Sequence, residues 1–158
     1  MSLKARALRA LAQREHSRLE LARKLRPYAD AAQPPAALEV LLDELQAQGW
    51  LSDARFAEAL SRNRATRQGV ARIRAELRQR GVDAGQVEHA TAALADTEAE
   101  RAQQVWQKKF GQPARDAAER ARQIRFLLGR GFETSLACRV VPKPQAAGPD
   151  ENPDESPD

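Results

Sequence analysis

Three segments of this sequence share a pattern that marks the end of an α-helix. Each has a leucine, three further residues, a glycine and then an apolar residue, at 45–50, 77–82 and 127–132. Glycine tolerates the left-handed backbone conformation of a helix C′ position, and the next residue can then fold back onto the leucine. We therefore predict Schellman-type helix ends at Gly49, Gly81 and Gly131, and we expect the residue after each glycine to be a packing contact.

Helix starts are marked by polar side chains that can accept a hydrogen bond from a backbone N–H at a helix N-terminus. Four of them precede Glu or Gln by three residues, Ser52 caps a further helix, and Pro34 and Pro35 suit the start of another. The four pairs are Ser17/Glu20, Asp83/Gln86, Thr97/Glu100 and Asp116/Glu119. With the glycine stops, these signals predict helices at about 2–14, 17–26, 35–48, 53–67, 70–80, 83–94, 97–110, 116–130 and 133–140.

The spacing of the stops indicates an internal repeat. Leu25, Leu77 and Leu127 occupy equivalent positions, 52 and 50 residues apart. Hydrophobic residues make up 42% of the chain, but 31 of them are alanine, and Val, Ile and Thr together number only 13. A sheet of several strands and a single sizeable core are therefore excluded, while small stacked units need little core each. We predict an all-α fold, an elongated tandem array of three three-helix, helix-turn-helix-like repeats at 1–51, 52–95 and 96–141.

The last segment, 142–158, has a different composition. It contains Lys143 against Asp150, Glu151, Asp154, Glu155 and Asp158, is rich in proline, and lacks hydrophobic periodicity. We predict a disordered tail, either a solubilising extension or an acidic mimic that competes for the rest of the chain. Without it the net charge of +4 becomes +8, which suggests an anionic partner such as nucleic acid, a nucleoprotein or a lipid surface.

Arginines are densest at 55–80, where eight of them accompany only Glu58 and Glu76. Helical spacing places those acids near the arginines at 55, 62, 72 and 80, whereas the other four have no acid at i±3 or i±4. Unpaired like charges on a helix indicate either an external anion or a solvated face. The third repeat adds further cations, so the candidate contact residues are Arg64, Arg67, Arg74, Arg78, Arg125 and Arg130.

A second basic cluster, Lys108 and Lys109, follows Trp106 and precedes Phe110. The two aromatic residues are four apart at the end of one helix, a spacing typical of core positions. A nucleic-acid surface is indicated here only if an aromatic ring is exposed beside the two lysines.

Signals for catalysis and for cofactors are missing from the sequence. Phosphate loops, nucleophile elbows and metal-ligand spacings do not occur, the two histidines are isolated, and we interpret Cys138 as a buried apolar residue. No apolar run is long enough to span a bilayer. We therefore expect a cytoplasmic, monomeric non-enzyme without cofactor or metal, and without a membrane partner.

Two ordered motifs carry a family resemblance. GWLSDARFA at 49–57 and GVARIRAELRQRG at 69–81 resemble the RecX family of regulatory proteins, as do SRLEL at 17–21, RFL at 125–127 and RGF at 130–132. The resemblance covers roughly residues 3–141. It implies tandem three-helix repeats and a modulator that binds the RecA–DNA filament, mainly inhibiting RecA recombinase, ATPase and co-protease activity in homologous recombination, DNA repair and the SOS response.

The hypothesis is then that the six candidate arginines contact acidic RecA surfaces or the phosphates of single- or double-stranded DNA in the filament groove. A stand-alone DNA-binding protein that uses its basic face is the main alternative. A purely structural helical adaptor is the other, and it predicts no salt-dependent binding.

Overall fold

A computed structural model of the protein describes residues 1–29 and 33–144. Over those ranges the regular structure is entirely helical, which confirms the all-α prediction. The tail predicted at 142–158 lies outside the described residues from 145 onward. The helices are α1 (Leu3–Gln13), α2 (Arg18–Leu25), a 3-10 turn (Arg26–Tyr28), α3 (Ala37–Ala47), α4 (Asp53–Ala65), α5 (Val70–Gln79), α6 (Ala84–Thr91), α7 (Leu94–Lys109), α8 (Ala117–Gly129) and α9 (Thr134–Val140).

Most of the predicted helix starts are confirmed. The side chains of Ser17, Ser52, Asp83 and Asp116 each accept the backbone N–H three residues further on. The start predicted at Thr97 is wrong, because α7 begins three residues earlier and Thr97 instead donates its hydroxyl to the carbonyl oxygen of Leu94 at 3.4 Å. The alanine-rich stretch before Thr97 favours helix strongly enough to extend α7 backward past the polar side chain.

All three glycine stops are confirmed. Gly49, Gly81 and Gly131 have φ of +80°, +82° and +93°. The N–H of the residue after each glycine donates to the carbonyl oxygen of the leucine, at 2.9 Å for Leu45, 3.0 Å for Leu77 and 3.2 Å for Leu127. The residues after the glycines differ, however: Val82 and Phe132 are buried, but Trp50 is 57% exposed, so its predicted packing role is wrong.

Leu51 takes the buried position that we assigned to Trp50. Its side chain is 2% exposed, and its N–H also donates to the carbonyl oxygen of Leu45, at 3.1 Å. The prediction for Cys138 is wrong as well, because α9 points this side chain to solvent. Each error concerns a choice between adjacent residues, because Leu51 is buried instead of Trp50, and Ala137 instead of Cys138.

Each three-helix repeat has its own small hydrophobic cluster. Leu25 belongs to a cluster built from α1, α2, α3 and Leu51, Leu77 to one built from α4, α5 and α6, and Leu127 to one built from α7, α8 and α9. The three leucines are at most 2% exposed. Three separate small cores explain how a chain with few large apolar residues can fold.

The boundary between the first and second repeats and that between the second and third have the same construction. At the first boundary, the Ser17 hydroxyl donates to the carbonyl oxygen of Arg80 at 2.7 Å. At the second, the Gly69 N–H donates to the carbonyl oxygen of Arg130 at 2.8 Å. In both cases the N-cap of one repeat's second helix contacts the C-cap of the next repeat's second helix.

Candidate functional site

An open groove of about 450 Å³ lies where the end of α4 meets α7 and α8. We refer to it as the basic groove, because four of its lining residues are cationic and none is acidic. In a groove with cations alone, no internal ion pair competes with an external anion. The lining residues are Thr66, Arg67, Gln104, Val105, Lys108, Lys109, Phe126 and Arg130.

Arg101 of α7 fixes the α4 side of the basic groove. Its guanidinium donates to the carbonyl oxygens of Ala65 at 3.0 Å and Gln68 at 2.8 Å, and to that of Leu94 at 3.0 Å. Burial lowers the pKa of Arg101 from its ordinary value, although the charge of Glu98 opposes that shift. The turn that carries Arg67 is thus bound to the helix that carries the two lysines.

Phe126 of α8 supplies a partly exposed aromatic ring in the basic groove. Phe110 packs edge-to-face against it, with ring centroids 5.4 Å apart. The Lys109 ammonium lies 5.4 Å and the Arg130 guanidinium 5.0 Å from the ring centroid. Both distances are in the range of cation–π contacts, so the ring holds two of the cations in position at the groove.

The aromatic residues next to the lysines in sequence are placed as predicted. Trp106 is buried, and its Nε1–H donates to Oε1 of Gln123 at 3.0 Å. Phe110 is partly buried within the same cluster. Phe126 is partly buried against this cluster too, but it lines the basic groove whereas Phe110 does not. The ring beside Lys108 and Lys109 in the groove therefore comes from α8, and the sequence argument missed Phe126.

Arg67 and Arg130 are the two candidate arginines that the fold brings together in the basic groove. Arg67 is exposed, and its Nη2 donates to Oδ1 of Asn63 at 3.2 Å. Arg78 and Arg125 are exposed elsewhere, and neither has a side-chain hydrogen bond or ion pair within 1–29 and 33–144.

The interpretation of Arg64 and Arg74 as unpaired is wrong, because both have partners on other helices. Arg64 donates to both carboxylate oxygens of Glu76, at 3.0 and 3.1 Å, and these hydrogen bonds raise its pKa above the ordinary value. Arg74 donates to the Thr91 hydroxyl at 3.0 Å and lies 3.4 Å from a carboxylate oxygen of Glu88. The partners come from other helices, which spacing along one helix cannot reveal.

The pairs expected along single helices are also largely replaced by contacts between helices. Arg55 pairs with Glu15 at 3.0 Å, and Arg72 donates to the carbonyl oxygen of Gly129 at 2.6 Å. Arg80 keeps its expected partner Glu76, at 3.8 Å. In the part of the chain that the structure describes, Arg62 has no ion pair.

A second groove, of about 420 Å³, lies at the boundary between the first and second repeats. Its three arginines, which include Arg14 and Arg80, face Glu15 and Glu20 within the groove itself. Burial opposes the ionisation of Glu20, but the hydrogen bond and charge of Arg14 together with the charge of Arg80 outweigh it and lower the pKa. Because its charges are neutralised internally, this groove suits an anionic partner less well.

The described residues show no cluster of three or more His, Cys, Asp and Glu side chains that could hold a metal ion. His16 is buried, and burial lowers its pKa, whereas His89 is exposed on α6. Over the described ranges, no helix has the length and hydropathy needed to cross a bilayer. The chemistry that the basic groove offers is the binding of anions, with an aromatic surface beside the charges.

The tandem repeats match known families. The family models for the second and third three-helix domains of RecX match residues 52–90 and 96–141. The regulatory protein RecX of Leptothrix cholodnii is 52% identical over 141 residues, covering 89% of this chain and 88% of that protein. The chain belongs to the RecX family of regulatory proteins.

Other RecX proteins match over similar lengths. The RecX of Ralstonia pickettii is 45% identical, covering 96% of this chain and 90% of that protein. The RecX of Pseudomonas syringae pv. tomato is 42% identical, covering 89% and 90%. The basic groove lies between the two RecX domains that the family models match, because Arg67 belongs to 52–90 and the lysines, Phe126 and Arg130 to 96–141.

Solved RecX structures share the fold. The crystal structure of RecX from Lactobacillus salivarius superposes with a TM-score of 0.72 at 18% identity and covers 87% of this chain and 91% of that chain. A second RecX crystal structure has a TM-score of 0.70 at 21% identity, covering 87% and 69%. The tandem three-helix architecture is therefore retained at low sequence identity.

Proposed function

We propose that this chain binds the RecA–DNA filament through its basic groove and lowers the recombinase, ATPase and co-protease activities of RecA. In the cell this would restrain RecA in DNA repair and the SOS response. The observation that carries the proposal is the convergence of Arg67, Lys108, Lys109 and Arg130 on one groove without a carboxylate. Membership of a family of regulatory proteins supports a binding role over a catalytic one.

The groove cations are proposed to contact acidic surfaces of RecA protomers or DNA phosphates, wedging the bound chain against protomer rearrangement. Arg78 and Arg125 remain candidates for additional contacts, since both are exposed and unpaired in the described residues. Arg64 and Arg74 now have intramolecular partners, so an external anion would first have to replace Glu76 or Glu88. We assign those two arginines a secondary role.

The test removes two groove charges without touching a buried contact. Lys108→Gln with Lys109→Gln is expected to weaken binding to RecA filaments about tenfold at low salt and to reduce the slope of log affinity against log salt by about 1.5 to 2. Co-sedimentation measures binding, and filament ATPase measures inhibition. The matched control is Lys4→Gln with Lys24→Gln, two exposed lysines of the first repeat. Equal losses of filament binding in both variants, or no loss in either, would contradict the assignment of the basic groove as the binding site.

Stand-alone DNA binding is the second candidate function, since phosphates and unstacked bases also suit cations beside a partly exposed ring. Binding to bare duplex and to bare single strands, compared with binding to RecA-coated single strands, separates the two. A filament modulator binds the coated strand at least tenfold more tightly. Equal affinity for all three would favour the alternative.

A further inference from the structure

We propose that the acidic segment 150–158 of this chain occupies the basic groove in the free protein and competes there with the anionic partner. The contact itself needs no other molecule. The competition rests on the proposed function, because it requires that the partner use the same groove.

Charge complementarity is the first support. Segment 150–158 carries five carboxylates and no cation, and nothing basic follows Lys143 in the chain. The groove lining holds four cations and no carboxylate. Each charge of the segment therefore meets only attraction in the groove, and individually weak exposed pairs add up when several form at once.

The length of the chain between the third repeat and the acidic segment is the second support. Arg120, at the start of α8, donates its Nε–H to the carbonyl oxygen of Pro142 at 3.2 Å, which fixes where the chain leaves the third repeat. Measured along the axis of α8 at 1.5 Å per residue, Phe126 lies about 9 Å from Arg120, and Arg130 at the C-cap about 15 Å. Asp150 is eight residues beyond Pro142, which allows an extended span of about 26 Å. The acidic segment thus begins within reach of the groove.

The composition of the other grooves favours this one. The groove between the first and second repeats already contains Glu15 and Glu20. A groove of about 220 Å³ beside Arg6, Arg9 and Lys24 also lacks acids, but it lies in the first repeat, whereas the chain leaves from the third. Of these three grooves in the described residues, the basic groove alone combines freedom from carboxylates with a wall formed by α8, to which the exit of the chain is attached.

Tethering makes the competition effective. A segment joined to the groove by a few residues acts at a high local concentration, so weak pairs suffice to hold it there. A filament offers many phosphates and carboxylates at once and displaces it, but at a cost in affinity. Neutralising the segment removes this cost.

The contact is tested by nuclear magnetic resonance on the full chain without RecA. The variant is Glu151→Gln, Asp154→Asn and Glu155→Gln, and the matched control is Glu44→Gln, Glu58→Gln and Asp96→Asn, which removes the same charges from exposed helix positions. We expect the amide resonances of Lys108, Lys109, Phe126 and Arg130 to shift in the first and stay in the second. Unmoved groove resonances in the first variant, or shifts at Arg9 and Lys24 instead, overturn the proposal.

The competition is tested with the same two variants and RecA filaments. We expect the tail variant to bind about three- to fivefold more tightly than the unchanged chain at low salt, with the gain shrinking at high salt, and the control to gain less than half as much. Equal gains would mean a general charge effect and overturn the competition. Failure of the Lys108 and Lys109 substitutions to affect filament binding would instead remove the proposed function while leaving the contact standing.

Discussion

The backbone N–H of Gly69 donates to the carbonyl oxygen of Arg130 at 2.8 Å, across the boundary between the second and third repeats. The two backbone segments approach so closely there that a Cβ built on Gly69 would lie 2.3 Å from the carbonyl oxygen of Gly131. The junction beside the basic groove is therefore made of backbone against backbone, and it has no space for a side chain.

Gly69→Ala is expected to destabilise the protein by about 1–3 kcal/mol, because the added methyl group meets backbone that cannot rotate away. The free energy of unfolding from urea titration measures it. Gly129→Ala is the control, since a Cβ there has no atom within 4 Å, and we expect it to be neutral or slightly stabilising. Equal stability of the two variants would contradict the close approach.

Comparing Gly49 with Gly81 separates the energetic cost of a strained backbone conformation from the cost of a packing clash. Both have φ near +80°, so alanine costs about 1–2 kcal/mol at either position. A Cβ at Gly49 meets nothing within 4 Å, whereas one at Gly81 would lie 2.7 Å from Cβ of Leu19 in the first repeat. We therefore expect Gly81→Ala to lower the free energy of unfolding by about 1 kcal/mol more than Gly49→Ala. If the two losses are the same, the first boundary is looser than described.

Glu20 should contribute to stability at neutral pH and lose that contribution in acid. Its pKa in the folded protein lies below the ordinary 4.5, so the unfolded chain takes up a proton first as the pH falls. The stabilisation is therefore fully present above about pH 5 and disappears as the pH falls through the folded-state pKa. We expect the difference in urea midpoint between the protein and Glu20→Gln to shrink from pH 7 to pH 3.

The control for this pH dependence is Glu44→Gln, an exposed position on α3 without an ion pair in the described residues. The urea midpoint of this variant, plotted against pH, should run parallel to that of the unchanged protein from pH 7 to pH 3. A Glu20→Gln difference that stays constant with pH would show that Arg14 and Arg80 do not stabilise the carboxylate.

Arg64 is expected to contribute to stability, and Arg67 to filament binding. Arg64 makes two hydrogen bonds to Glu76, and both side chains are about one quarter exposed or less. Arg64→Ala is therefore expected to cost about 1 kcal/mol of stability, and Arg67→Ala almost none. Filament binding should change in the opposite order, with Arg67→Ala weakening it more than Arg64→Ala. Urea unfolding measures the stability and co-sedimentation measures the binding. Arg64→Ala with unchanged stability would mean that the pair is not formed in solution.

Local signals were sufficient for most of the fold. The caps at Ser17, Asp83 and Asp116 and the stop at Gly81 depend on residues only a few positions apart, whose hydrogen bonds close within one turn. Thr97 shows where this fails, because the helix propensity of the residues before it outweighed its cap signal.

The candidate site was less accessible to sequence reasoning. Arg67 and Arg130 were chosen for their lack of nearby acids, and they do lie in the basic groove. Phe126 was missed, although Arg130, four residues later at the C-cap of the same helix, was a signal for a cation–π pair. Arg64 was misread because its partner is on the adjacent helix, 12 residues away.

By itself the sequence determined the helices, most of their ends, the three-repeat periodicity and the excess of positive charge, because these follow from the properties of neighbouring residues. Only the tertiary structure decided which arginines have partners, which ring lines the basic groove and where the cations converge. Those choices depend on how helices pack within a repeat, as Arg64 does with Glu76, and on how one repeat docks on the next, as Gly69 does with Arg130. Residues paired in this way are 12 and 61 positions apart, and such pairs leave no periodic trace in the chain.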